Sequence, residues 1–105
     1  MLLLIDTVEN SMNVLNRHRH VIPEDAIYVG RPTKWGNPWK SGIDGTRKEV
    51  IERYEEYIKN SEELYNSLPE LFGKDLVCSC APLPCHADVL VKLCKELMND
   101  GLKDY

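Results

Sequence analysis

A stretch rich in glycine and proline, residues 30–45, constrains the fold of this chain more than any other feature. Gly or Pro occupies six of these sixteen positions, which excludes a regular helix or strand and predicts a long loop. Trp35 and Trp39 lie in the same stretch, and such large aromatic side chains indicate an ordered loop. Ordered loops of this length in a small domain are usually functional, so this loop is a candidate working surface.

The segments before and after the loop carry strand and helix patterns. Residues 26–29, Ala-Ile-Tyr-Val, are rich in β-branched and aromatic side chains and predict a short strand, and the run 12–20 also favours a strand. Thr46 and Glu49 have the spacing of a capping box, and apolar residues at helical spacing follow them. These features predict a helix over 47–59.

The second half of the chain continues this alternation. A short helix is predicted over 61–68, ended by Pro69, and the apolar run 75–80 predicts a buried strand. Apolar residues at helical spacing then predict a final helix over 85–99. The expected fold is a small Rossmann-like α/β domain, with helices packed on one mixed or parallel sheet. Ligands of such folds bind beyond the carboxyl ends of the strands, where the loop and the 80–86 turn both lie.

Length and composition indicate one domain that does not wrap nucleic acid. A chain of 105 residues has room for one hydrophobic core, so residues 1–105 are predicted to form a single domain. The net charge of -4 argues against general binding of duplex nucleic acid, which requires a surplus of Lys and Arg.

The N-terminus and the cysteines predict a cytoplasmic protein. Residues 1–5 are apolar but lack a basic flank and turn polar at Asp6, which predicts a strand or packed arm rather than a signal peptide or membrane span. Three of the four cysteines fall within eight positions, too close together to form a disulfide framework. Reduced thiols are therefore expected.

The segment Cys78-Ser-Cys80-Ala-Pro-Leu-Pro-Cys85-His86 gathers three cysteines and a histidine around a stiff turn. Cys78 and Cys80 project from one face of the predicted strand, and the other two side chains open the last helix. Tetrahedral zinc prefers four N and S ligands, which these four side chains supply, although the usual paired knuckles are absent. One interpretation is therefore a zinc site formed by Cys78, Cys80, Cys85 and His86, and no other cofactor is predicted.

A second interpretation gives the cysteines chemical or purely structural roles. A helix N-terminus lowers the pKa of a thiol, so Cys85 would be a reactive thiolate with His86 as its acid or base. The N–H groups that open the helix would also bind a phosphate. In the structural alternative Cys78 and Cys80 are buried strand residues, and this alternative is favoured for Cys94, since free cysteines are usually buried.

The 30–45 loop carries residues suited to a nucleotide or nucleoside. Arg31 follows Gly30, which lets the backbone approach a ligand while the guanidinium faces it. The Asn37 amide would read the edge of a base, and Trp35 or Trp39 would stack on a planar ring. The alternative is that the tryptophans cap the core.

Together these motifs resemble those of a known family. The stretches Tyr28-Val-Gly-Arg-Pro32, Trp35-Gly-Asn-Pro38 and Gly73-Lys-Asp-Leu-Val-Cys78-Ser-Cys80-Ala-Pro82-Leu-Pro-Cys85-His86-Ala-Asp88-Val-Leu90, together with Arg47 and Tyr54 in the predicted capped helix, look like domain of unknown function 4326 (DUF4326), a family of small phage and bacterial proteins. The resemblance covers about residues 14–97. It implies that both segments belong to one site, whose motif positions are matched by Arg31, Trp35, Asn37, Cys80, Cys85, His86 and Asp88. It implies no particular reaction.

The leading hypothesis is a protein that binds or acts on a nucleotide, a nucleoside or another phosphate-bearing molecule. Its ligand-binding residues are Arg31, Trp35, Asn37 and Trp39. The residues expected at a reacting centre are Cys85, His86 and Asp88. One alternative is a non-enzymatic, zinc-stabilised interaction module such as a phage accessory factor, and another is a binder that sequesters a nucleotide without turnover.

Overall fold

The computed structural model describes residues 12–18, 20–79 and 85–103, in which short strands alternate with longer helices. The elements are β1 (Val14–Asn16), β2 (Ile27–Tyr28), α1 (Arg47–Asn60), α2 (Glu62–Ser67), a 3₁₀ helix (Leu68–Leu71), β3 (Leu76–Cys78) and α3 (His86–Lys103). The α/β class predicted from the sequence is confirmed. None of the described helices has both the length and the apolar character that crossing a membrane requires.

A three-stranded parallel sheet lies at the centre of the fold, in the order β1-β3-β2. The middle strand, β3, is buried along its whole length, which explains its uninterrupted apolar sequence. Because all three strands run in the same direction, the residues that follow Asn16, Tyr28 and Cys78 meet at one edge of the sheet. This edge is where the candidate site forms.

Helix α1 begins at the predicted capping box. The Thr46 hydroxyl accepts a hydrogen bond from the Glu49 N–H, and the Glu49 carboxylate accepts one from the Thr46 N–H. Val50, Tyr54 and Ile58 are buried, at the spacing of one helix face, and this face packs towards α3. The prediction of a helix from 47 to 59 is confirmed.

Several predicted boundaries move for local reasons. The first strand is limited to Val14–Asn16 because hydrogen bonds of Asn16 turn the chain after it. The Asn16 side-chain oxygen accepts the His18 N–H, and the backbone N–H of Asn16 donates to His20 Nδ1. Pro69 does not end the helical path, since it lies in the first turn of the 3₁₀ helix, where a missing N–H costs nothing. The predicted N-terminal arm, residues 1–5, lies outside the described residues.

The 30–45 loop is fixed to α1 by buried polar contacts. The Tyr54 hydroxyl donates to the Trp35 carbonyl, and the Asn37 side-chain N–H donates to the Val50 carbonyl. Burial raises the pKa of Tyr54, so its hydroxyl stays protonated and remains a donor. These contacts position a segment that has no regular structure.

Tyr54→Phe tests this attachment. The substitution removes the donor and leaves the buried Trp35 carbonyl without a partner, so we expect the free energy of unfolding to fall by about 1–3 kcal/mol. Urea denaturation measures the change. The matched control is Tyr65→Phe in α2, whose half-buried hydroxyl makes no such contact and should change stability by less than about 0.5 kcal/mol. Equal losses in the two variants would contradict the proposed role of Tyr54.

Candidate functional site

A cleft of about 360 Å³, here called the main cleft, opens between the 30–45 loop and the starts of α1 and α3. Three of its lining side chains are cations, namely Arg31, Lys40 and Arg47. Its other lining residues are aromatic, aliphatic or uncharged polar: Asn37, Trp39, Ser41, Ile43, Val50, Ile51, Cys85 and His86. No carboxylate lies among these described lining residues. The main cleft is therefore a positively charged site with apolar walls.

A second hollow of about 250 Å³, the strand-end cavity, lies beyond the carboxyl ends of β2 and β3. It is lined by Tyr28, Gly30, Arg31, Asn37, Cys78, Ser79 and His86. Arg31, Asn37 and His86 line both hollows, so these residues form the wall that the two hollows share. The structure thus brings the 30–45 loop and the start of α3 together at the sheet edge.

Two glycines determine where Arg31 lies. A side chain at Gly30 would overlap the Tyr28 hydroxyl, which donates to the Arg31 carbonyl, and a Cβ at Gly36 would lie 2.8 Å from Arg31 Cγ. The Arg31 side chain itself is exposed and forms no hydrogen bond or ion pair with a described residue. Its guanidinium is therefore held at the site and available to a ligand.

His86 is buried and its ring is fixed in one tautomer. Its Nε2 lies 2.6 Å from the Val29 carbonyl oxygen, and because a carbonyl only accepts, Nε2 carries the proton and donates. The ring also packs edge-on against Tyr54, with ring centroids 5.1 Å apart. Burial lowers the pKa of His86, with a further contribution from the charge of Arg31. The site therefore contains a neutral imidazole whose Nδ1 is an acceptor.

Cys85 is a buried thiol paired with Cys78, and their Sγ atoms lie 3.4 Å apart. The interpretation of Cys85 as a low-pKa thiolate is corrected by this arrangement. The hydrogen bond with Cys78 and burial raise the pKa of Cys85, and they outweigh the opposing effect of the Ala87 N–H, which donates to the sulfur. Cys94 is likewise buried, as predicted, and burial raises its pKa to about 12.

Asp88 caps α3 and does not line either hollow. Its carboxylate accepts the Cys85 N–H at 3.0 Å, and the Asp88 N–H is donated in turn to the Cys85 carbonyl. With Ala87 N–H directed at the Cys85 sulfur, these N–H groups of the helix start are occupied by the chain itself. These contacts give Asp88 a structural role, and the predictions that Asp88 acts at a reacting centre and that the helix start binds phosphate stay predictions.

Of the aromatic and amide residues of the loop, one lies in the core and the others line the main cleft. Trp35 is buried, with Lys34 Nζ 5.3 Å from its ring centroid, so it is a core residue rather than a stacking surface. Asn37 lines the main cleft, but its amide oxygen accepts the Trp39 N–H and its amide nitrogen donates to Val50. Trp39 is half-buried and lines the main cleft, and its stacking on a ligand stays a prediction.

The proposed zinc ligands are only partly brought together. Cys78 and Cys85 are adjacent, Cys80 lies outside the described residues, and His86 directs Nε2 at Val29. Within residues 12–18, 20–79 and 85–99, no group of three or more His, Cys, Asp or Glu side chains is arranged to hold a metal ion.

Lys40 and Arg47 were missed as candidates in the sequence. Arg47 carried a usable signal, because it opens α1, where the helix macrodipole disfavours a cation. Lys40 lies within the Gly- and Pro-rich loop without a distinguishing pattern. Only the folding of that loop against α1 brings it to the cleft.

The buried neutral His86 predicts a loss of stability in mild acid. In the unfolded chain the ring titrates near its ordinary value of about 6.5, whereas in the folded protein its pKa is lower. As the pH falls below about 6.5, the ring binds a proton in the unfolded state but not yet in the folded state. The free energy of unfolding should therefore fall between pH 7 and pH 5, by up to about 1.4 kcal/mol per pH unit.

Urea denaturation at a series of pH values measures this slope, with His86→Gln as the control. The glutamine keeps an N–H donor for the Val29 carbonyl but does not titrate, so its stability should depend less on pH in this range. Identical slopes for the two proteins would show that His86 is not held neutral by the fold.

The chain is similar to uncharacterized proteins of two viruses. The chain is 32% identical over 81 residues to an uncharacterized 12.4 kDa protein from the nrdA-td intergenic region of Enterobacteria phage T4, covering 73% of this chain and 74% of that protein. It is 29% identical over 100 residues to uncharacterized protein R718 of Acanthamoeba polyphaga mimivirus, covering 77% and 76%. No solved structure matches the chain significantly. The model of the domain of unknown function DUF4326 matches residues 13–96, and the chain belongs to this family.

Proposed function

We propose that this protein binds a small phosphate-bearing molecule, a nucleotide or a phosphorylated nucleoside, in the main cleft. The observation that carries the proposal is the charge of the cleft lining. Arg31, Lys40 and Arg47 converge there with no carboxylate among the described lining residues, although the chain as a whole has a net charge of -4. Such a local reversal of charge attracts an anion to this position and repels cations from it.

Two of the three cations, Arg31 and Lys40, are in the state that phosphate binding requires. Arg31 offers a planar fork of N–H donors that matches two phosphate oxygens at once. Neither Arg31 nor Lys40 has its side-chain charge neutralised by a described residue. Their charge is therefore available to a ligand rather than used in the fold.

The remaining walls suit the rest of such a ligand. Trp39 is half-buried and held edge-on to Tyr57 with ring centroids 5.6 Å apart, which leaves an oriented ring at the cleft. Ile43 and Ile51 add apolar surface beside it. The volume, about 360 Å³, falls in the range of small-molecule sites, roughly 300–1,000 Å³. A stacked base next to a held phosphate fits this combination.

The chemistry of the site favours binding without cysteine catalysis. Cys85 is buried with a raised pKa, and the Asp88 carboxylate caps a helix. Among the sequence-based alternatives, this supports a protein that holds or sequesters its ligand. The thiols of Cys78 and Cys85 also fit a reducing, cytoplasmic environment, which is part of the proposal.

Zinc binding is the second candidate, and the 3.4 Å separation of Cys78 and Cys85 Sγ is the observation that favours it. Two thiols supply half of a tetrahedral site, and the Nε2 of His86 is already used by Val29. A structural zinc would contribute folding free energy. One tightly held zinc per chain, whose chelation unfolds the protein, would favour the interaction module over the nucleotide binder.

The main prediction is a loss of nucleotide affinity in Arg31 variants. Calorimetric titration with ribonucleoside mono- and diphosphates should give saturable binding to the unmodified protein. Arg31→Ala should weaken it by about tenfold or more, because charge-assisted hydrogen bonds contribute about 1.5–3 kcal/mol. Arg31→Lys should fall between the two, since lysine keeps the charge but loses the planar fork.

Lys95→Ala is the matched control, because it removes one positive charge from an exposed position of α3 outside both hollows. Its affinity should equal that of the unmodified protein at the same salt concentration. If Lys95→Ala and Arg31→Ala lose the same amount of nucleotide affinity, the effect comes from net charge and not from a contact of Arg31. Failure of every nucleotide to bind the unmodified protein would overturn the proposal.

A further inference from the structure

The strand-end cavity differs from the main cleft in charge. Of the three cations of the main cleft, only Arg31 also reaches the strand-end cavity, where the other lining residues are uncharged. The hydroxyl groups of Tyr28 and Ser79 are among them. Because Arg31, Asn37 and His86 form a shared wall, a molecule bound at Arg31 can extend from one hollow into the other. The two hollows therefore suit the charged and the neutral part of one ligand.

The shared wall contains one fixed acceptor with an unused lone pair. His86 Nε2 donates to Val29, which leaves Nδ1 unprotonated, and no described residue donates to Nδ1. Among the described residues no side-chain nitrogen is fully buried without a partner, so Nδ1 is reached from the hollows that His86 lines.

The other polar groups of the shared wall are donors or are already engaged. Arg31 only donates, and the amide of Asn37 is used at both ends by Val50 and Trp39. Tyr28 lines the strand-end cavity alone, and its hydroxyl donates to the Arg31 carbonyl and accepts from Arg17. Among the described side chains of the shared wall, His86 Nδ1 is thus an acceptor to which no described residue donates.

We infer that the ligand spans both hollows and that His86 determines specificity for its neutral part, which must present a hydrogen-bond donor, an amino or hydroxyl group, to Nδ1 in the strand-end cavity. This inference rests on the proposed function and assigns different parts of the ligand to the two hollows. The cations of the main cleft hold phosphate, and the imidazole selects among the molecules that carry it. An acceptor without charge suits this role, because a protonated ring would repel a donor.

Two substitutions of His86 separate its contacts. Glutamine places an amide N–H where Nε2 donates to Val29 and removes the Nδ1 acceptor, whereas asparagine keeps a polar group near Nδ1 and loses the Val29 contact. The probes are inorganic pyrophosphate, which has only the charged part, and the ribonucleoside monophosphate that binds the unmodified protein most tightly. His86→Gln should weaken nucleotide binding about five- to tenfold and leave pyrophosphate within about twofold.

Ser79→Leu tests the strand-end cavity with a variant that leaves His86 in place. Ser79 is exposed at the strand-end cavity, so a larger side chain there should fill the cavity and reproduce the selective loss of nucleotide affinity. Thermal unfolding confirms that each variant is folded at the titration temperature.

The outcomes separate this inference from the function on which it rests. If His86→Gln loses affinity for pyrophosphate and nucleotide equally, His86 only shapes the fold. If nucleotide affinity is unchanged in both His86→Gln and Ser79→Leu, the ligand does not enter the strand-end cavity. Either result overturns the inference while leaving the anion site in place. If neither probe binds the unmodified protein, both the function and the inference fail.

Discussion

The hydrogen bond from His86 Nε2 to the Val29 carbonyl joins two parts of the chain that are 57 residues apart. It ties the first residue of α3 to the end of β2, from which the 30–45 loop departs. A second connection between the loop and the start of α3 runs through Tyr54, whose hydroxyl donates to Trp35 and whose ring packs against His86. The same bond fixes the tautomer of the ring, so one contact helps to hold the two parts of the site together and leaves Nδ1 as the acceptor nitrogen.

Among the described residues that line the main cleft, the charged side chains are all cations. The cations that line the main cleft surround an imidazole that burial keeps neutral, so the site adds no further buried charge. Arg31 owes its position to packing against Gly36, and the Tyr28 hydroxyl holds its carbonyl. Tyr28 is itself covered by Arg17, whose guanidinium lies 5.1 Å from the ring centroid. A positively charged edge therefore develops on an acidic protein where three parallel strands end.

Local sequence signals determined much of the fold and less of the site. The capping box at Thr46 and the apolar run at β3 predicted the elements that position the site, because both signals act within a few residues. The contact between Asp88 and the Cys85 N–H had no such signal, because cysteine is not among the residues that usually cap a helix. Trp35 and Trp39 look alike in the sequence. Their different burial depends on where α1 packs, which no local pattern specifies.

The chemistry of Cys85 depends on long-range packing for the same reason. A helix start predicts a lowered thiol pKa, but the neighbouring Cys78 thiol from β3 and the surrounding core reverse the direction. Likewise, Lys40 and Arg47 become site residues only when the loop folds against α1. Residue types at the site were visible in the sequence, whereas their roles depend on which side chains surround them.

The two tryptophans provide the most direct test of a ligand in the main cleft, because one lines it and the other is buried in the core. Their indole N–H signals can be followed separately by nitrogen-15 NMR during titration with a ribonucleoside diphosphate. The account predicts that the Trp39 signal shifts in a saturable way while the Trp35 signal stays in place. Shifts of equal size for both indoles, or no shift of Trp39 when the phosphate-bearing ligand binds, would contradict it.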